Sequence, residues 1–287
     1  KPLEESVEWG LENLSKITGD YFLFDGSDST SLMGAYEVFE QSNAIYLLKN
    51  QLLKNRTDYL TDYSFNKWFF GRRYGMRLSY DIPKEKWDRI KFTGYNLGYL
   101  LPHYSNFVPI QQQKGIDLCA IFSADHGYSE DHGVRNDIPY TIHRKGLWNK
   151  LSKLQDKYIM IKDKLPFEKY IQELRNSKLS LSPFGQGEIC FRDFEAIQYG
   201  TLILKPDQSI VNSYPNIFIA DETYVSLKLD WSNLEEKIDY VLSNFDTLNI
   251  EMNQRIRDLF LEKYTYENMC KYWYNLFKGV GNVKQDD

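Results

Sequence analysis

The segment SKLSLSPFGQGEICFRDFEAIQYGTLILKPD, residues 177–207, concentrates side chains able to hold an anionic ligand. Gly185 and Gly187, with Gln186 between them, allow a tight turn and a close backbone approach that a Cβ would obstruct. The free amides of a helix starting just beyond them would face the same space and favour a phosphate. Glu188, Arg192, Glu195 and Tyr199 follow at i, i+4, i+7 and i+11 as one polar stripe, while Cys190, Phe194 and Ile197 share a face suited to packing on a sheet. That stripe suits a diphosphate on Arg192 and a ribose diol on a carboxylate. A solvated salt-bridge ladder, each pair contributing roughly 0.2–0.5 kcal/mol, would use the same spacing.

The elements that must position these residues alternate between strand and helix. Residues 21–24 (YFLF) read as a short strand ending at Asp25 and Gly26, followed by a helix over 32–41 and a strand over 44–48. No period is clear between residues 56 and 80. The second half is better marked: a strand over 116–124 apolar enough to be buried on both faces, a helix from about 144 to 154, and a strand over 157–161. A helix over 166–177, a strand ending before Pro183, a helix through Tyr199 stopped by Gly200, and a strand over 201–205 follow. Residues 224–228 read as one more strand, and the last sixty residues as helical. Such alternation implies βαβ units around parallel sheets, an α/β fold.

Composition narrows the function. The chain has 287 residues, 42% hydrophobic and 26% charged, which is a globular balance. Its 35 Lys and Arg against 40 Asp and Glu provide no basic field, so nucleic acid is not an expected partner. No apolar run approaches the roughly 20 residues of a membrane helix. Cys119, Cys190 and Cys270 form no CxxC pair, which argues against a disulfide framework or a cysteine zinc site and points to a reducing, cytoplasmic compartment. His126 and His132 stand beside Asp125 and Asp131, but without a third supporting pair they do not read as a metal site. The chain opens without methionine, as an excised piece of a longer protein would.

The 177–207 segment resembles the donor-sugar motif of GT-B glycosyltransferases, both the group-1 and the exostosin-like families. The likeness rests on Ser177-Lys178, Gly185-Gln186-Gly187, Glu195-Ala196 and Gly200-Thr201-Leu202-Ile203, in that order. It covers roughly residues 115–245 and is strongest over 166–206. It implies two Rossmann-like domains facing a cleft: a small, irregular acceptor-side domain over 1–105, a nucleotide-sugar-binding domain over 106–262, and a terminal helix over 263–287 crossing back. The implied activity is that of a hexosyl- or pentosyltransferase, moving sugar from a nucleotide sugar to a glycan hydroxyl without metal or cofactor. A GT-B-like epimerase or phosphorylase and a non-catalytic binding module are the alternatives.

The resemblance also assigns residues. Glu195 would hold the ribose hydroxyls, residues 185–188 would lie by the diphosphate and sugar, and Arg192 matches the exostosin-like arginine. The group-1 pattern places seven residues between two glutamates, whereas six lie between Glu188 and Glu195, and Gly187 occupies the first position. Arg144 and Lys145, two cations expected at a helix N-terminus where they oppose the dipole, would clamp the diphosphate. Lys162, and also Lys205, stand at strand ends within reach of phosphate. For the base, Asp25 ends the first strand and ranks ahead of Asp28, which the next helix could claim as a cap. His103, near the expected domain junction, is the other candidate.

Overall fold

The computed structural model describes residues 3–32, 34–60, 79–95, 97, 100–123, 139–185 and 187–281. Its first part contains α1 (Leu3–Leu14), β1 (Phe22–Asp25), α2 (Ala35–Gln41), β2 (Tyr46–Lys49), β3 (Leu52–Leu53), α3 (Lys84–Trp87), β4 (Ile90–Phe92) and α4 (Leu101–Tyr104). β2 lies between β1 and β4, all parallel. Every residue of β2 is buried, as a central parallel strand covered on both faces must be. Tyr36 and Phe39 of α2 pack with Leu47 and Ile90 on this sheet.

The second part runs through β5 (Ile116–Cys119), α5 (Pro139–Lys153), β6 (Met160–Ile161), α6 (Phe167–Arg175), β7 (Ser177–Leu181), α7 (Phe191–Tyr199), β8 (Leu202–Pro206), β9 (Val211–Asn212), β10 (Val225–Leu227), α8 (Leu234–Ser243), α9 (Phe245–Lys263) and α10 (Tyr266–Gly281). Its parallel sheet has the order β10-β8-β7-β5-β6. In chain order this is fifth, fourth, third, first, second, so the winding reverses between β5 and β7. Crevices at the carboxyl ends of strands flanking such a reversal are where open α/β sheets hold ligands. Along β8, Leu202 and Leu204 join the cluster of Leu147, Leu151 and Ile238, whereas Ile203 joins Phe194, Ile197, Ile256 and Phe260. That alternation sets α5 and α8 on one face, α7 and α9 on the other.

The expectation of an α/β chain with two parallel sheets stands. Among the boundaries that differ from the sequence reading, three bear on the site. The strand expected over 116–124 ends at Cys119, because only 116–119 find partners on β6 and β7. The helix expected from Arg144 starts at Pro139, a residue that suits a first turn. α7 starts at Phe191, after Cys190 in extended conformation, so Glu188 precedes the helix and does not share its stripe.

A strand pairing and a returning helix are among the connections that tie the parts together. β3 pairs antiparallel with β9, Leu52 opposite Asn212 and Leu53 opposite Val211. α10 returns to the first sheet, with Tyr272 against Phe92, Trp273 against Phe24 and Phe277 against Phe22.

α7 is anchored at its far end. Gly200 adopts φ 65°, the left-handed stop favoured for glycine. Arg257 of α9 donates from Nε to the Ile197 carbonyl and from Nη2 to that of Gln198, both at 3.0 Å. The buried Lys114 ammonium donates to the carbonyls of Ser177 (3.0 Å) and Gly200 (2.7 Å) and to Thr201 Oγ1 (3.2 Å). Burial, then the nearby Arg257 and Arg175, press Lys114 down to about 7. Below that pH the lysine is charged in both folded and unfolded chains. Between about 7 and the ordinary lysine range near 10.4 the unfolded chain holds the extra proton, so stability rises with pH. Urea unfolding of wild type and Lys114→Met should therefore show wild type gaining on the variant from pH 7 to 10. A difference independent of pH would contradict this.

Candidate active site

The loop after β7 meets the loop after β1. A Cβ on Gly187 would stand 2.0 Å from the Asp28 carbonyl oxygen, so only glycine permits this approach. Beside it, the buried Glu188 accepts from Thr30 through Oε2 from the amide (3.2 Å) and through Oε1 from the hydroxyl (2.7 Å). Gly185 is less constrained, with an added Cβ meeting Arg144 Nη2 at 3.5 Å. The closeness expected between the glycine loop and a ligand is, at Gly187, closeness to the other half of the chain. Gln186 lies outside the described residues, as do His126 and His132.

Each sheet sends a buried lysine to this seam. Lys49, at the end of β2 and fully buried, donates to Asp25 Oδ2 and to Ser27 Oγ, both at 2.8 Å. The Ser27 amide donates to Asp25 Oδ1 (2.9 Å), closing a turn over the lysine. Burial lowers the Lys49 pKa, against the opposing pull of Asp25, Glu188 and Asp28. Lys205, in β8, is equally buried and pairs with Asp193 Oδ2 at 2.7 Å while donating to the Glu188 carbonyl at 3.0 Å. Its ammonium also lies over the Phe218 ring, 4.4 Å from the centroid. Neither lysine is a surface charge, and Lys205 is committed to protein partners. No local pattern marks Lys49, since its neutralising partner lies 24 residues away in the chain.

The helix N-terminus differs from a vacant phosphate cradle. Asp193 Oδ2 accepts from the Cys190 amide at 3.0 Å, so the protein's own carboxylate answers the first turn of α7. Arg144, expected at a helix start, lies inside α5 and is buried, donating from Nε to the Phe184 carbonyl (3.0 Å) and from Nη1 to that of Ser123 (2.9 Å). It braces the glycine loop against the end of the β5 segment. Lys145, half-buried, lies beside it in the same helix rather than at its N-terminus. Lys162 lies over the Trp148 ring, 5.6 Å from its centroid, just after β6.

Arg192 and Glu195 remain on one polar face of α7. Glu195 Oε2 accepts from the Tyr170 hydroxyl of α6 at 2.7 Å. Arg192 Nη1 is buried and has no hydrogen-bond partner among the described residues. Burial alone would lower its guanidinium, but Cys190, Tyr170, Asp193 and Glu195 hold it above its ordinary value. Arg192 also acts electrostatically on Cys119, the last residue of β5, which sets it at the winding reversal. A buried donor without an acceptor is costly, and an anionic ligand would supply the acceptor.

On the opposite side, Asp28 does not cap α2. Gly34 takes that place, its amide donating to Glu37 Oε2 at 2.7 Å. The Asp28 residue is exposed, yet partial desolvation raises its carboxyl above its ordinary pKa, and Lys49 acts against this. His103 is exposed on α4, its ring edge-on to Tyr104 and its carbonyl accepting from Gln198 Nε2 at 2.9 Å.

No protein-family model and no curated protein matches the chain. Solved structures do. S. aureus TarM matches at TM-score 0.45 and 13% identity over 94% of this chain. A glycosyltransferase from Rickettsia africae ESF-5 matches at 0.45 and 14% over 99% of this chain and 82% of its own. Sucrose-phosphate synthase from Thermosynechococcus elongatus matches at 0.49 and 11% over 98% of this chain and 79% of its own. The chain spans 58% of the length of TarM. At these scores and identities the likeness assigns neither donor nor acceptor. Among the described residues no helix is long and apolar enough to cross a membrane, and no group of three or more His, Cys, Asp or Glu could hold a metal ion.

The seam yields a direct test. Gly187→Ala drives a Cβ into backbone, so it should cost at least about 1–3 kcal/mol in urea unfolding. Gly185→Ala meets ordinary contacts and should stay within about 0.5 kcal/mol. Equal stability of the two variants would show that the Gly187 approach is not as described.

Proposed function

We propose that the protein transfers a sugar from a nucleotide-sugar donor to a carbohydrate hydroxyl without a metal ion. In this reading residues 106–262 bind the donor, residues 1–105 present the acceptor, and the final helix ties the two. The observation that carries it is the buried Arg192 Nη1, without a hydrogen-bond partner among the described residues, beside Glu195 at the winding reversal. A diphosphate supplies the acceptor that Arg192 lacks, and a ribose diol can donate to Glu195. As the bond from the anomeric carbon to the diphosphate breaks, negative charge gathers on the leaving oxygen, where Arg192 stabilises it. Arg144 acts by bracing the loop rather than as a clamp.

For an inverting transfer a base removes the acceptor hydroxyl proton as its oxygen attacks the anomeric carbon. Asp28 suits this role better than Asp25. Its backbone touches the glycine loop, and partial desolvation raises its proton affinity. Asp25 instead closes the turn over Lys49. His103 lacks a described contact with the loop. A second reading, a nucleotide-sugar-binding module without transfer, draws on Asp193 and Glu188 already occupying the helix start and the seam. Slow nucleotide-sugar hydrolysis separates the two, since a module shows none.

A thermal-shift panel of UDP, GDP, ADP, CMP and their sugars in EDTA should find one stabilising nucleotide, by about 2.7 kcal/mol at 100 times its Kd. Glu195→Ala should then weaken that donor by roughly 1.5–3 kcal/mol, and unchanged affinity in the folded variant would remove Glu195 from the site. Asp28→Asn should lower donor turnover about 10²- to 10⁴-fold with donor affinity near wild type. Wild-type turnover would remove Asp28 as the base.

A further inference from the structure

We infer that Tyr170 is a positioning residue of the donor side: its hydroxyl holds the Glu195 carboxylate by one oxygen, leaves the other to a ribose hydroxyl, and so makes the site select ribonucleotides over their deoxy forms. This role rests on the proposed reading of Glu195 as the ribose partner and adds to it the class of nucleotide.

Glu195 is half-buried within α7. Among the described residues its Oε2 has one hydrogen bond, from the Tyr170 hydroxyl at 2.7 Å, and its Oε1 has none. Arg192, three residues earlier, shares the polar face of α7 but makes no ion pair with Glu195 among the described residues. A glutamate on a helix has three side-chain torsions to fix, and ordering them when a ligand arrives weakens binding. Tyr170 removes that cost in advance.

The hydroxyl is itself held in place. Tyr170 closes the first turn of α6, its amide donating to the Pro166 carbonyl at 2.9 Å and its ring lying 6.3 Å from that of Phe167. The far end of the same helix is bound to the sheet, with Thr201 Oγ1 donating to the Leu174 carbonyl and Ser177 Oγ to that of Glu173, both at 2.7 Å. α6 follows β6 and α7 follows β7, the two strands that flank β5, so the bond joins the helices on either side of the strand where the winding reverses. Burial, then the Glu195 charge, hold the phenol well above its ordinary pKa, so Tyr170 stays a neutral donor. A carboxylate fixed in this way accepts from a ribose hydroxyl and gains nothing from a deoxyribose carbon. A tyrosine that only packed α6 against α7 would favour both sugars alike.

Calorimetric Kd values for UDP, GDP, ADP and CMP, each with its 2′-deoxy and 3′-deoxy form, test this. For the nucleotide that binds, wild type should lose about 10- to 100-fold on removal of at least one of the two hydroxyls, the range of a charged hydrogen bond. Tyr170→Phe should weaken the ribo form about 2- to 10-fold and leave that deoxy form near its wild-type Kd, so the preference shrinks. Equal weakening of both forms overturns the inference, as does an unchanged preference, and in either case a preference lost in Glu195→Ala keeps Glu195 in the site. Tighter binding of the ribo form by Tyr170→Phe overturns it too, because the tyrosine would then compete with the ribose. If Glu195→Ala keeps the wild-type preference, or no nucleotide binds, the reading of Glu195 fails and the inference with it. Should Tyr170→Phe fail to fold, 3-fluorotyrosine placed at position 170 keeps the hydroxyl, and its ¹⁹F resonance should move in Glu195→Ala. An unmoved resonance overturns the inference equally.

Discussion

The backbone contact between Gly187 and Asp28 is what makes the two sheets one site. Strand ends on separate sheets need not converge, and a side chain at 187 would hold the loops apart by the 2.0 Å conflict with the Asp28 carbonyl. Once the loops touch, Glu188 can reach Thr30. Arg144, bonded to the Phe184 carbonyl, backs the same loop from α5. The antiparallel pairing of β3 with β9 and the return of α10 to the first sheet act at other points of the same seam. Each joins one half to the other, so their effects on seam stability should be coupled rather than additive.

Burying charge at such a seam costs stability unless it is paired, and both sheets meet the requirement in the same way. A lysine at or near the end of an inner strand points inward and meets an aspartate close by in space: Lys49 with Asp25, Lys205 with Asp193. Removing one member of a buried pair costs about 3–5 kcal/mol, largely because the other is left charged and alone. These pairs therefore hold loop shape more than they add net stability. Asp193 shows the geometry well: the same carboxylate oxygen accepts from Lys205 and from the Cys190 amide, fixing β8, the glycine loop and the start of α7 together.

This division explains what the sequence could reveal. Local signals were legible: the strand over 201–205, the stop at Gly200 and the helical spacing of Arg192 and Glu195 appear within a residue of where patterning places them. The start of α7 was not, because it depends on Cys190 adopting an extended conformation and on Asp193 reaching back, neither of which shows in a helical wheel. Glu188 thereby left the stripe it shared by spacing alone and turned to Thr30. Arg144 was misplaced because the turns before it carry little apolar pattern. Lys49 and Lys205 were hardest to read, since a lysine at a strand end is usually solvated and only tertiary pairing buries it.

The buried cations around the seam differ in what they leave unpaired. Lys49 and Lys205 each meet a carboxylate and a further oxygen of the protein, and Arg144 meets two carbonyls. An anion drawn to any of these would have to displace bonds already made in a low-dielectric interior, where they are strong. Arg192 retains a buried donor with no acceptor among the described residues, and Tyr170 occupies one oxygen of its neighbour Glu195. On the proposed reading, an incoming diphosphate would gain most at Arg192, where it would complete a bond rather than replace one. The other cations hold the loops of the seam, so buried positive charge can gather there while, on the proposed reading, the anion meets only a small part of it.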